Sequence, residues 1–225
     1  MRYHFSIFAQ KILLLMNITI IGASAGVGLE TVKRALARQH TVTTLSRSDI
    51  PLPSSSHLLK IKGSATNKAD VSKALVHADA VIVALGTGNS MKATTLYSDF
   101  AKLLVEIQKE HSRPIPFIVL TGFGAGDSGP FNTFLMRLFF RFMLKDVYAD
   151  KTKMEEIIAA SPLKWVIVRP GLLKDKPLSE TYRVETRLYV GINIGGINRA
   201  DVADFLVKQA ESPSELFKYP ALSNR

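Results

Sequence analysis

An α/β architecture, a doubly wound parallel sheet in a single domain, is what the sequence predicts, and three observations predict it. The stretch NITIIGASAGVGLE at residues 17–30 joins a strand pattern to a glycine-rich turn and then to a helix pattern. Short β-branched runs (VTTL, LLKI, VIV, FIVL, WVIV) recur between segments of helical apolar spacing, the alternation that a parallel sheet covered by helices requires. A chain of 225 residues, 47% apolar and with a mean hydropathy of +0.13, suffices for one such core and argues against disorder.

In the first unit, Ile18, Ile20 and Ile21 form the strand, while Val27, Val32 and Leu36 begin the helical stripe. The switch falls between Gly22 and Gly28. Glycine there permits a tight turn and lets backbone approach a pyrophosphate, whose charge is met by free amides and roughly half a positive charge at the helix start. Gly22, Gly26 and Gly28 match the GxxxGxG spacing of short-chain dehydrogenase/reductases better than GxGxxG. Read instead as GxxGxxG, Ala25 replaces the middle glycine.

Composition narrows the function. The absence of cysteine removes disulfides, thiolate zinc sites and a cysteine nucleophile, and fits a reducing, cytoplasmic compartment. The five histidines lack ligand spacing, so no metal site is expected. A net charge of +10, from 29 basic and 19 acidic residues, raises nucleic acid or an anionic membrane as partners. The basic residues are spread from Arg2 to Arg225 without a dense run or a nucleic-acid motif. A solvated basic surface that attracts anionic coenzymes is the expectation, with neither nucleic acid nor membrane as partner.

Residues 1–15 have a basic start and an apolar middle interrupted by Gln10 and Lys11, and no apolar run reaches the roughly 18 residues of a membrane span. They are expected to be a poorly ordered extension, with the domain occupying residues 16–225.

Taken in order, the second strand ends at Ser46, and Arg47 occupies its tip, where an acid would bond ribose hydroxyls in NAD enzymes of this architecture. A proline- and serine-rich loop leads to a third strand at residues 58–63. A helix over residues 67–76 has Asn67 as its cap. The fourth strand, VIV, runs into Ala84, Leu85 and Gly86, small enough in part for a ribose to lie on the backbone. A helix over residues 94–111 and a fifth strand, PFIVLT, follow. Residues 122–130, GFGAGDSGP, read as a flexible loop where open α/β sheets place their ligands. The phenylalanine-rich stretch at residues 131–143 reads as a packed helix or lid, with an aromatic shelf or a dimer face as alternatives. A helix over residues 149–160, a sixth strand in LKWVIVRPG, short strands within residues 181–190 and a helix opened by Asn198 or Asp201 complete the pattern.

IGASAGVG, LSRS, ADAVIVALG, FIVLTGFGAG, DKTKMEEII, LKWVIVRPG and INRADVADFLV occur in the order and spacing of atypical short-chain dehydrogenase/reductases, over residues 17–212. Within that group the chain resembles the NAD(P)H-binding subgroup of biliverdin reductase B, or flavin reductase; the 33 residues beginning DKTKMEEII carry the most specific likeness. The resemblance implies a Rossmann-type fold and NADP(H) as coenzyme. It assigns Gly22, Ser24, Ala25, Gly26 and Val27 to the phosphates and Arg47, with Ser48, to the adenosine 2′-phosphate. It lays Ala84, Leu85 and Gly86 along the coenzyme, brings Leu120 and Thr121 to the nicotinamide side, and closes Pro170, Gly171 and Leu172 over it.

The departure from the family concerns catalysis. YxxxK enzymes use a tyrosine to move the substrate proton and a lysine to lower its pKa. Here Lys151 has Val147 at the tyrosine position, and Tyr148 is one residue too late. Lys151 and Thr121 are the remaining candidate catalytic residues. The resulting expectation is an NADPH-dependent reductase of a conjugated small-molecule acceptor such as a flavin, quinone or tetrapyrrole, working as a monomer or weak homodimer. A catalytically silent NADP-binding regulator is the alternative, and a sugar-nucleotide epimerase or dehydratase the third reading.

Overall fold

The computed structural model describes residues 15–88, 93–111 and 114–224. The segment anticipated as an N-terminal arm therefore lies, but for Leu15, outside the described residues. Six parallel strands form the centre of the sheet: β1 Asn17–Ile21, β2 Thr41–Ser46, β3 Leu58–Lys62, β4 Ala80–Val83, β5 Pro116–Leu120 and β6 Lys164–Pro170. Their spatial order, β3-β2-β1-β4-β5-β6, makes β1 the point from which the chain winds first one way and then the other. Ligands bind outside the carboxyl ends of strands at such a point.

Strand alternation sends successive side chains to opposite faces. Ile18, Ile20, Ile82, Ile118 and Val166 pack with helix α1, Gly26–Ala37, and the last helix, α6, Arg199–Glu211. Ile21, Val81, Phe117, Val119 and Ile167 pack on α2, Lys68–Leu75, α3, Leu96–His111, and α5, Lys145–Ala159. Fully buried residues such as Ile20, Ile82 and Ile118 each contribute about 1.5–3 kcal/mol. Arg34 of α1 bonds Asp204 of α6 at 2.6 Å, and Arg38 bonds Glu211 at 2.6 Å, fixing the helix that starts at the glycine turn. The Asn67 side chain caps α2 by accepting from the Asp70 amide.

Three features differ from the expectation. Residues 122–130 are tied down rather than flexible: a 3-10 turn, Gly126–Phe131, is held by the buried Ser128 hydroxyl, which donates to the Ala125 carbonyl and accepts from the Gly124 amide. The Gly126 amide also donates to Thr152. The sheet is longer than the hydrophobic runs suggest. A final strand, β10 Ala221–Asn224, lies parallel to β6, and β8, Tyr182–Glu185, pairs antiparallel with it. A separate parallel pair joins β7, Leu172–Lys174, to β9, Gly196–Asn198. The stretch ALSN carries little strand propensity, so its pairing is set by the waiting edge of β6.

The third difference is α4, Phe134–Met143, which is helical but leaves much of its apolar surface uncovered. Phe134, Leu135 and Phe142 are 71–75% exposed. Helix formation was legible in the spacing; the exposure of Phe134, Leu135 and Phe142 departs from a helix packed on the body.

Candidate functional site

The glycine turn is shaped by close contacts. Gly22 has φ +88°, and a Cβ there would lie 2.5 Å from the Ala84 carbonyl oxygen. A Cβ on Gly28 would lie 2.0 Å from the Gly22 carbonyl oxygen. The turn after β1 is thus wedged between the end of β4 and the first turn of α1, and only hydrogen fits at either place. Ala25 stands at the N-cap with extended backbone, φ −156°, so the missing middle glycine creates no strain. No side chain caps α1, and its first turn carries no acid. Its leading amides and positive dipole end are available to an anion.

These residues open on a cavity of about 880 Å³ running along the carboxyl ends of the strands. Gly22, Ser24, Ala25, Gly26 and Val27 line one wall, and Arg47 and Ser48 stand at its β2 end. Ala84, Leu85 and Gly86 follow β4, and Leu120, Thr121, Lys151 and Pro170 close the far end. The Arg47 and Ser48 residues are exposed. The Ser46 hydroxyl donates to the Ser48 carbonyl at 2.7 Å, which withdraws it from ligand contact. Asp49 pairs with Lys62 at 3.1 Å on the outer surface. The acid two residues beyond Arg47 is thereby engaged away from a ribose position.

A second cavity of about 480 Å³ adjoins the first and shares Thr121, Leu144, Tyr148, Lys151, Pro170, Leu173 and Arg199 with it. Its further walls are mainly apolar, with Phe131, Met136, Phe139, Ile192 and Ile194, beside Asn132 and Asn193. Gly171 and Leu172, expected over the nicotinamide, line only this smaller space. Leu172 is 67% exposed, and Gly171 packs so closely that a Cβ would lie 1.8 Å from the Gly195 carbonyl oxygen. The crossing from β6 to β7 carries these two residues past the larger cavity, so of the three only Pro170 borders both spaces.

At the junction the Lys151 Nζ donates to the Thr121 carbonyl at 2.8 Å and lies 5.1 Å from the centre of the Tyr148 ring. Burial lowers the Lys151 pKa to about 8, against an opposing pull from the Glu155 carboxylate. Burial, followed by the neighbouring Tyr97 and Glu155, pushes the Tyr148 phenol up to about 12, so it stays protonated at neutral pH. Tyr148 therefore reaches the same junction as Lys151 despite the offset from YxxxK. The spacing of three residues also leaves both on one side of α5.

Thr121 borders both cavities, but its side chain turns into a buried network. Its hydroxyl donates to Glu155 Oε1 at 2.6 Å, beneath the cavity floor. Glu155 also accepts from Arg169 Nη2 at 2.6 Å and Nε at 3.1 Å, both residues being about 3% exposed or less. The third Arg169 nitrogen, Nη1, bonds Asp127. With its hydroxyl engaged in that network, Thr121 meets the Lys151 amine through its carbonyl oxygen.

Other contributors had no distinctive signal in the sequence. Buried Asp150 accepts from the Tyr97 amide at 2.8 Å and the Ser98 amide at 3.3 Å, which caps α3 from a different helix and sets Tyr97 beside Lys151. Arg199 borders both cavities, bonds Asp175 at 2.7 Å, and approaches the Gly26 position. In the sequence it falls within the stretch read as the final helix, opened by Asn198 or Asp201, and nothing in its spacing marks it as a neighbour of the glycine turn. Among the described residues there is no group of three or more His, Asp or Glu side chains able to hold a metal.

Comparison with known proteins agrees with this arrangement. An anaerobillin reductase, ChuY, from Escherichia coli O157:H7 is similar in structure, with a TM-score of 0.71, 21% identity, and coverage of 92% of this chain and 97% of that one. A candidate NADH-flavin reductase from Streptococcus pneumoniae has a TM-score of 0.75 and 22% identity, over 93% of this chain and all (100%) of that one. A short-chain dehydrogenase/reductase from Veillonella parvula gives a TM-score of 0.77 at 18% identity, covering 94% and 95% of the two chains. At these identities the likeness concerns the fold. The family model described as NAD(P)H-binding matches residues 22–213, from the first glycine of the turn to beyond the end of α6, so the chain belongs to the NAD(P)H-binding family and takes a nicotinamide coenzyme.

Proposed function

We propose that the protein is an NADPH-dependent reductase, of the atypical short-chain dehydrogenase/reductase kind, that passes hydride to a conjugated small-molecule acceptor of the flavin, quinone or linear tetrapyrrole type. One observation carries this reading: the larger cavity, of mixed polar and apolar lining, and the smaller, mainly apolar cavity meet at Lys151, Tyr148 and Pro170. A coenzyme in the first would bring its reactive end to that meeting point, and a flat apolar acceptor fits the second. The bound coenzyme supplies the hydride. The protein supplies alignment: Phe131, Met136 and Ile194 confine the acceptor, and Pro170 and Leu173 limit the space between it and the coenzyme.

In this reading the α1 amides hold the phosphates, with Arg199 beside them, and Arg47 meets the 2′-phosphate. The Lys151 ammonium holds ribose hydroxyls and favours negative charge on the reduced acceptor. The Tyr148 phenol, protonated at neutral pH, borders the same meeting point. Water supplies the remaining proton.

Steady-state oxidation of NADPH in the presence of a panel of flavins, quinones and linear tetrapyrroles tests the proposal. Acceptor-dependent oxidation is expected with at least one class and none with sugar nucleotides. Tight coenzyme binding without oxidation by any acceptor would support the catalytically silent regulator instead.

A further inference from the structure

The α4 helix is unusual among the elements of this fold. Phe134, Leu135 and Phe142 are 71%, 75% and 72% exposed, and Leu138, Phe139 and Met143 are 43–46% exposed. At about 100° per residue these six positions form one broad apolar face. Arg137 and Arg141, four residues apart, flank it on the same edge, and Lys145 follows one turn later. From residue 131 to residue 145 the sequence contains these three cations and no acid. Exposing most of Phe134, Leu135 and Phe142 to water is costly, and a helix with this division is suited to the boundary between lipid headgroups and acyl chains.

We propose that α4 is a docking helix that seats the protein on an anionic lipid surface. Its apolar face enters the boundary layer, while the Arg137 and Arg141 stems lie along that layer and their guanidinium groups reach the headgroup phosphates. The net charge of +10 draws the whole protein toward the same surface. Charge also decides against a second copy as the occupant: a two-fold contact of α4 with itself would crowd two sets of these cations, with no acid on the helix to offset them. No helix among the described residues is long and apolar enough to cross a membrane. Docking here is attachment in the plane of the surface, which a helix of ten residues can provide. The inference stands apart from the reductase reading, because surface binding requires neither coenzyme nor acceptor.

Co-sedimentation of the full chain with vesicles tests it, comparing phosphatidylcholine alone with mixtures containing phosphatidylglycerol. Binding is expected only to the anionic vesicles, weakening as salt is raised. The double substitution Arg137→Ala/Arg141→Ala is expected to lower partitioning roughly thirtyfold, and Phe134→Ser/Phe142→Ser to abolish it. Neither pair lines a cavity, and Phe134 and Phe142 are largely exposed, so circular dichroism and melting temperature should be unchanged. Equal binding to neutral vesicles, binding that survives both double substitutions, or none at all would overturn the proposal. So would a dimer in sedimentation equilibrium that Phe134→Ser/Phe142→Ser dissociates, since the face would then belong to a second copy.

Discussion

Glu155→Ala is expected to destabilise the protein by about 3–5 kcal/mol, the usual cost of stripping one partner from a buried ion pair. Arg169 would lose two hydrogen bonds at a site where it is 3% exposed, keeping Asp127, whose own side chain is 71% exposed, and the face of the Tyr219 ring at 4.2 Å. The Thr121 hydroxyl would lose its acceptor in the same step. For a domain of this size the loss corresponds to a fall in melting temperature of roughly 6–20 °C. Differential scanning calorimetry checks the expectation. Glu155→Gln, which keeps the shape and one acceptor oxygen, should lose less. Replacing Glu155 and Arg169 together by apolar residues of similar volume should recover much of the stability, because neither charge is then left alone. A Glu155→Ala protein that melts with the wild type would show that the network under the site carries no structural weight.

Lys151→Met is expected to act in the opposite direction on stability while removing function. The folded-state pKa near 8 lies below the ordinary 10.5, so between those values the unfolded chain binds more protons on this group than the folded protein does. The group therefore costs stability below about pH 8, and that cost is relieved as the pH rises toward 10.5. The full shift would correspond to roughly 3 kcal/mol, but cavity water reaches the side chain and the bond to the Thr121 carbonyl is also lost. A net gain of about 1 kcal/mol at pH 7, shrinking by pH 10, is the expected result in denaturant titrations. Coenzyme affinity should fall roughly ten- to a hundredfold, the loss of a charge-assisted hydrogen bond. In the wild type the same affinity should decline as the pH passes 8. A variant both less stable and unchanged in coenzyme affinity would make Lys151 a packing residue.

The central sheet was legible because its strands are buried on both faces. Runs such as VIV and FIVL have few other uses, and the turn between Gly22 and Gly28 marks the switch point by itself. Arg47 was legible for a similar reason, since a strand end in this architecture has one outlook. The strands at Leu172–Lys174 and Ala221–Asn224 were not, because their pairing comes from neighbours distant in the chain rather than from their own side chains. Tyr148 shows how a register argument falls short: one residue out of step with YxxxK, it still reaches the Lys151 amine, because three residues on a helix nearly complete a turn. The role of Thr121 depended on Glu155 and Arg169, which lie 34 and 48 positions further along, and only the folded chain brings them beneath it. Arg199 was hidden in the same way.

Calorimetric titration of NADPH and NADH into the wild type and Arg47→Ala bears most directly on the site. Arg47 stands at the β2 end of the larger cavity, and Asp49, two residues on, pairs with Lys62 at 3.1 Å. A guanidinium–phosphate contact contributes about 1.5–3 kcal/mol, which corresponds to roughly ten- to a hundredfold in affinity. The wild type is predicted to bind NADPH more tightly than NADH by that factor, and Arg47→Ala to lose most of the preference while keeping its affinity for NADH. Equal affinities in the wild type, or an alanine variant that still prefers NADPH, would contradict the placement of the coenzyme along this cavity.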